Sequence, residues 1–126
     1  MIAADSNVWI YFFNDTHVEY AGVLASALKR SQIAIPPVVI SELLSFSLLT
    51  NRQKIIIKDV HFLEPDRLFW ERAGIMRAQL LQRGYKTKLP DTLIAQSCID
   101  HDVPLLTRDA GFEAFAAHAG LRLVQV

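Results

Sequence analysis

Three short runs, "MIAAD" (Met1–Asp5), "IAIPP" (Ile33–Pro37) and "VPLLT" (Val103–Thr107), are apolar without the polar alternation of a half-wet strand. A strand of that kind is buried on both faces. Between these runs lie longer segments whose apolar residues recur at helical spacing. Strands that alternate with helices imply a parallel sheet covered on both sides. The pattern therefore predicts a three-layer α/β/α fold with a central parallel sheet of about five strands.

The remaining elements follow in order. A short helix is expected from Val8, and His17–Ser31 places Tyr20, Leu24 and Ala27/Leu28 on one helical face. The prolines of "IAIPP" stop the second strand and suit the first turn of a helix, which would carry Val39, Leu43 and Phe46 inward. A short helix over Arg52–Lys58 and a strand in "VHFLEP" come next, although Ile55–Ile57 fits a strand equally well. The long helix Asp66–Arg83 turns Phe69, Ala73, Met76 and Leu80 inward, and Gly84 suits the residue that ends it. "YKTKLP" reads as a loop, Asp91 as the start of a helix to about His101, and Ala110–Ala119 as the last helix. "LRLVQV" reads as the closing strand.

At 126 residues the chain fits one compact domain. Its 52% apolar content and mean hydropathy of +0.23 are on the apolar side for a small soluble protein; they allow a real core, and a partner could cover some of the surplus. Thirteen basic residues balance thirteen acids, so no global positive field marks a nucleic-acid binder. The balance is uneven locally: nine basic residues face four acids between Asn51 and Pro90. Most of these belong on ordinary solvated helix faces, and the functional alternative is a basic rim able to take a phosphate backbone. Cys98 is the only cysteine, which excludes an intramolecular disulfide and suits a reducing compartment. The N-terminus lacks a cationic segment and contains Asp5, so it makes a poor signal peptide. No apolar run reaches the roughly 18 residues of a membrane span. A cytoplasmic protein is expected.

Four acids fall where such a sheet presents its carboxyl edge, the place at which parallel α/β sheets bind ligands. Asp5 ends the first strand and Asp109 follows the fourth. Glu42 lies about one turn into the helix after the second strand, and Asp91 opens a helix after a loop. Each has an ordinary explanation: Asp91 and Asp109 as helix caps, Glu42 as an acid favoured by the helix dipole. Asp5 resists one, because its neighbours are apolar and a carboxylate loses hydration among them. Gathered together, each close pair would repel by about 4 kcal/mol at ~4 Å in an effective dielectric of ~20. Protons or cations must neutralise such a cluster. Oxygen ligands without cysteine or clustered histidine suit Mg²⁺ or Mn²⁺. Carboxylate-bound divalent ions are a standard means of phosphodiester hydrolysis.

With "DSNVWI" at Asp5, "SELL" at Ser41–Leu44, "PDTLIAQSC" at Pro90–Cys98 and "LLTRDAGF" at Leu105–Phe112, the chain resembles a PIN domain. Within that group it resembles the VapC-type toxins of toxin–antitoxin pairs. The four segments span nearly the whole length, and "DSN" stands where "DTN" is commoner. The resemblance implies a sheet order of 3-2-1-4-5 and a metal-dependent endoribonuclease that leaves a 5′-phosphate and a 3′-hydroxyl. It implies that Asp5, Glu42, Asp91 and Asp109 coordinate Mg²⁺ or Mn²⁺, with Asn7 and Thr107 in auxiliary positions. For Thr107, a hydroxyl that satisfies the strand-end turn is an equal alternative. Lys86 and Lys88, in the loop before Asp91, and Arg108, beside Asp109, are candidate contacts to RNA phosphate. An antitoxin partner and a homodimer are also implied.

Two other classes remain open on the residues alone. A noncatalytic interaction module could keep this fold. An aspartate-based phosphotransferase or receiver-like domain also places acids at strand ends. The phosphotransferase pattern of Asp-x-Asp meets Asn7 at its second position, and the receiver's acidic pair and last-loop lysine are missing.

Overall fold

A computed structural model describes residues 1–126. Four parallel strands form one sheet in the order β3-β2-β1-β4: β1 (Ile2–Ala4), β2 (Ile33–Ile35), β3 (His61–Phe62) and β4 (Leu105–Leu106). Ala3 is the register point, opposite Ala34 on one side and Leu105 on the other. Ala3, Ala4 and Ala34 are completely buried. Small side chains on these strands let helices approach both faces closely, as the continuous apolar runs required.

Seven α-helices surround the sheet: α1 (Ser6–Asn14), α2 (Val18–Lys29), α3 (Pro37–Leu44), α4 (Asn51–Asp59), α5 (Phe69–Gln82), α6 (Leu89–Asp100) and α7 (Glu113–His118). A 3₁₀ turn over Ala110–Phe112 precedes α7. Helix α1 packs on α2, α5 on α6, and α3 touches both α1 and α6. Trp9, Leu24, Leu43, Ile94, Phe112 and Phe115 belong to one continuous core. The inward face of α5 is the one its period predicts, with Phe69, Ala73, Met76 and Leu80 buried.

Several boundaries differ from expectation, each for a local reason. The predicted fifth strand, "LRLVQV", contributes a single parallel bridge, Leu123 beside Leu105, fastened by Leu105 N–H to Arg122 O and Val124 N–H to Leu105 O, both 2.9 Å. It lies at the sheet edge beyond β4, and of its six residues only Leu121 is buried. Phe46 does not extend the face of α3. The helix ends at Leu44, where the Ser45 hydroxyl bonds the Ser41 carbonyl at 2.7 Å, and Phe46 is exposed. Asp66 stands outside α5, its carboxylate accepting from Leu68 N–H at 3.0 Å and pairing with Arg72. Ile55–Ile57 is helical, because Thr50 and Gln53 form a reciprocal capping box that starts α4.

Candidate active site

The site is built at the carboxyl edge of β1 and β4. Asp5 follows the last residue of β1 and caps α1, with Oδ1 accepting from Val8 N–H at 3.2 Å. Its other oxygen, Oδ2, accepts the hydroxyl of Thr107, which follows β4. The same Thr107 oxygen accepts from Asp109 N–H at 3.0 Å, and Asp109 Oδ1 accepts from Gly111 N–H at 2.8 Å. Thr107 thus satisfies the strand-end turn and orients Asp5 at once. Asp109 is likewise both a cap and a member of the acidic edge.

Glu42 arrives from α3. It lies in the second turn, two residues before the helix ends, so the dipole explanation does not apply to it. Ser6 donates its hydroxyl to Glu42 Oε1 at 3.0 Å. Asp91 is the third residue of α6; Lys88 holds the capping position, without a side-chain cap bond. A methyl added at Gly111 would stand 3.1 Å from Asp109 Oδ1 and 3.5 Å from Asp91 Oδ2. The absence of a side chain at Gly111 therefore leaves room for both carboxylates.

Asp5, Glu42, Asp91 and Asp109 line one cleft of about 230 Å³ together with Ser6, Asn7 and Lys88, closed on its apolar side by Pro90, Ile94 and Phe112. The acids line its walls without closing on a point: no three acidic, cysteine or histidine side chains are grouped tightly enough to hold a metal ion. The donor chemistry is nonetheless uniform. Every polar group on the walls except Lys88 and the Asn7 amide nitrogen offers oxygen, the set that suits Mg²⁺ or Mn²⁺.

Electrostatics mark two of the four acids. Asp5, 5% exposed, has its carboxyl pushed above the usual range. Burial is the main cause, and the Asp109 and Glu42 charges add to it, while the Thr107 and Val8 hydrogen bonds pull the other way. Asp91 is raised as well, first by burial and then by Asp109, with Lys88 opposing. Beyond burial, the contributions of Asp109, Glu42 and Asp5 to these shifts mean that the carboxylates repel one another, a repulsion that a cation would offset.

The basic candidates divide. Lys88 lines the cleft. Lys86 is exposed and outside its lining. Arg108 lines a separate pocket with His17, Val18, Glu19 and Tyr20. Elsewhere on the basic segment, Arg72 pairs with Asp66 and Asp100, Arg77 holds the Thr87 carbonyl at 3.2 Å, and Arg83 meets His118 at 3.4 Å. Those three serve the fold. Cys98 is buried in α6 with its thiol pushed up to about 12, and it takes no part in the cleft. Sequence reasoning did not single out Ser6 or Gly111 as site residues. The available signal was their position, each within two residues of a candidate acid.

The PIN domain profile matches residues 2–118. Among solved structures, a chain of the VapBC2 complex of Rickettsia felis, bound to a DNA fragment from its promoter, superposes with a TM-score of 0.72 at 23% identity, covering 98% of each chain. A chain of FitAcB from Neisseria gonorrhoeae gives 0.70 at 20% identity, covering 99% of this chain and 97% of that one. A chain of VapBC-5 from Mycobacterium tuberculosis gives 0.68 at 19%, covering 99% and 98%. Among curated proteins none matches. No helix is long and apolar enough to cross a membrane. From its first strand to its last helix, the chain belongs to the PIN domain family.

Proposed function

We propose that the chain is a metal-dependent endoribonuclease and the toxin of a toxin–antitoxin pair. The observation that carries this reading is the meeting of Asp5, Glu42, Asp91 and Asp109, delivered by separate parts of the chain, in one small cleft. PIN domains are typically nucleases that bind metal, which supports the same reading.

Asp5, Glu42, Asp91 and Asp109 would hold Mg²⁺ or Mn²⁺. The bound ion would make hydroxide available near neutral pH and offset charge developing on phosphate. The chain's own residues do the rest. Val8 N–H and Thr107 fix both oxygens of Asp5, and Ser6 orients Glu42. Asp91 makes no side-chain hydrogen bond and is the carboxylate free to receive a proton from the attacking water. Lys88, at the rim, meets substrate phosphate. Attack in line at phosphorus leaves a 5′-phosphate and a 3′-hydroxyl.

The structural relatives occur in complexes named VapBC and FitAcB. By analogy the partner here is a small antitoxin, and an arginine from it entering the acidic cleft would block substrate through charge-assisted hydrogen bonds. A second copy of the chain is the other partner. The outward stripe of α5 carries Trp70 and Leu81, 57% and 43% exposed, with Gly74 and Ala78 between them. Small residues flanked by large apolar ones suit close helix packing.

The test is cleavage of a pool of structured RNAs by purified protein, with Mg²⁺, with Mn²⁺ and with chelator. Cutting in metal alone, abolished by Asp5→Asn, is expected. Intact RNA in metal, with Asp5→Asn behaving like wild type in cells, would leave the noncatalytic interaction module as the better reading.

A further inference from the structure

Arg108 sits between Thr107, which orients Asp5, and Asp109, which lines the cleft, yet its side chain serves neither. It lines a second pocket, of about 400 Å³, with His17, Val18, Glu19 and Tyr20 from the start of α2. Arg108 and Asp109 are consecutive residues after β4, so one turn at the sheet's carboxyl edge contributes to both the pocket and the acidic cleft.

Its lining is largely exposed, with only Tyr20 half-buried. His17 adopts the left-handed conformation, at φ 45° and ψ 57°, and makes no capping bond. Its ring lies on that of Tyr11 with centroids 4.0 Å apart and planes tilted by 31°. A non-glycine residue held in this region is strained, and such strain persists only where surrounding contacts enforce it. The stack on Tyr11 supports the His17 ring, which lines the pocket. Tyr20 adds a half-buried ring. Glu19 and Arg108 supply opposite charges, and neither belongs to any of the chain's three ion pairs. An unpaired carboxylate, an unpaired guanidinium and aromatic surface together match the parts of one nucleotide. Unpaired RNA bases stack on aromatic rings and bond through their edges. Carboxylates accept from exocyclic base amines, and guanidinium forks grip phosphate.

We propose that this pocket seats a nucleotide flanking the cleavage site, with Arg108 on its phosphate and Glu19 accepting from the exocyclic amine of an unpaired base. Cytosine presents such an amine where uracil presents a carbonyl oxygen, which Glu19 would repel. The inference rests on the ribonuclease reading for the strand's identity, and it adds a base preference that the acidic cleft alone does not supply.

The test is fluorescence anisotropy with 5′-fluorescein hexacytidylate and hexauridylate, in Mg²⁺, on the Asp5→Asn chain so that the probe is not consumed. Hexacytidylate is expected to bind at least about fivefold more tightly, the equivalent of one net hydrogen bond. Adding Glu19→Gln should erase most of that preference. Adding Arg108→Ala should weaken both probes by about tenfold or more. Glu19 and Arg108 are exposed, so neither substitution threatens the fold. Equal affinity for the two probes, or indifference to both substitutions, overturns the proposal. The nuclease reading fails separately: a wild-type chain that cuts no RNA but shows this binding pattern sinks that reading and leaves the pocket standing. A chain that cuts RNA with no dependence on Glu19 or Arg108 does the reverse.

Discussion

The Thr107 hydroxyl donates to Asp5 Oδ2 while its oxygen accepts from Asp109 N–H at 3.0 Å, so one side chain at the end of β4 ties together two acids 104 positions apart in the chain. Asp5 is buried, and an oxygen without a donor there would carry its full desolvation cost. Thr107 therefore serves as a positioning residue for Asp5.

Thr107→Val keeps the shape and removes the hydroxyl. The account expects a stability loss of about 1–3 kcal/mol in urea denaturation and a larger proportional loss of RNA cleavage. Thr107→Ser, which restores the donor, should recover most of both.

The raised carboxyls of Asp5 and Asp91 fix the sign of a pH effect. A carboxyl that is raised on folding stabilises the native state below its unfolded value, about 3.9, and that contribution is lost as pH climbs through the folded value. Asp66, lowered chiefly by its hydrogen bond from Arg72, acts oppositely and loses its contribution as pH falls. In chelator, Asp5→Asn should therefore gain stability relative to wild type as pH rises from about 4 toward neutrality. Melting curves at a series of pH values check this, and parallel curves for the two proteins would contradict it.

Gly111 has little room for a side chain beside Asp109 and Asp91. Gly111→Ala is expected to lower the unfolding free energy in urea only slightly, by under about 1 kcal/mol, while displacing the Asp109 carboxylate and lowering cleavage severalfold. Gly111→Val should be worse on both measures. A fully active Gly111→Val chain would show that Asp109 can move without consequence.

The stripe of Trp70, Gly74, Ala78 and Leu81 leads to an association test. Sedimentation of the 14.2 kDa chain should show a dimer, and Trp70→Glu should return it to monomer with its far-UV circular dichroism spectrum unchanged.

Much of this arrangement was legible in the sequence because its causes are local. An acid at the end of an all-apolar run had to be a buried carboxylate, and Asp5 is. The 3.6-residue spacing of Phe69, Ala73, Met76 and Leu80 marked the buried face of α5. The Thr50–Gln53 spacing is that of the capping box that starts α4. Other features depend on contacts that no window contains. Whether "LRLVQV" pairs fully depends on what lies beyond the sheet edge. Whether Ser6 reaches Glu42 depends on how α1 and α3 meet. Arg108 and Asp109 are adjacent in sequence but line different pockets, which only the turn after β4 decides.

The central claim is that the four acids share a divalent cation, and the melting temperature tests it most directly. Wild type and Asp5→Asn would each be measured in chelator and in Mn²⁺. The account expects Mn²⁺ at about 100 times its Kd to stabilise wild type by about 2.7 kcal/mol, a shift of several degrees. It expects Asp5→Asn to melt higher than wild type in chelator and to lose most of the Mn²⁺ shift. A wild type indifferent to Mn²⁺, or an Asp5→Asn chain that keeps the full shift, would contradict it.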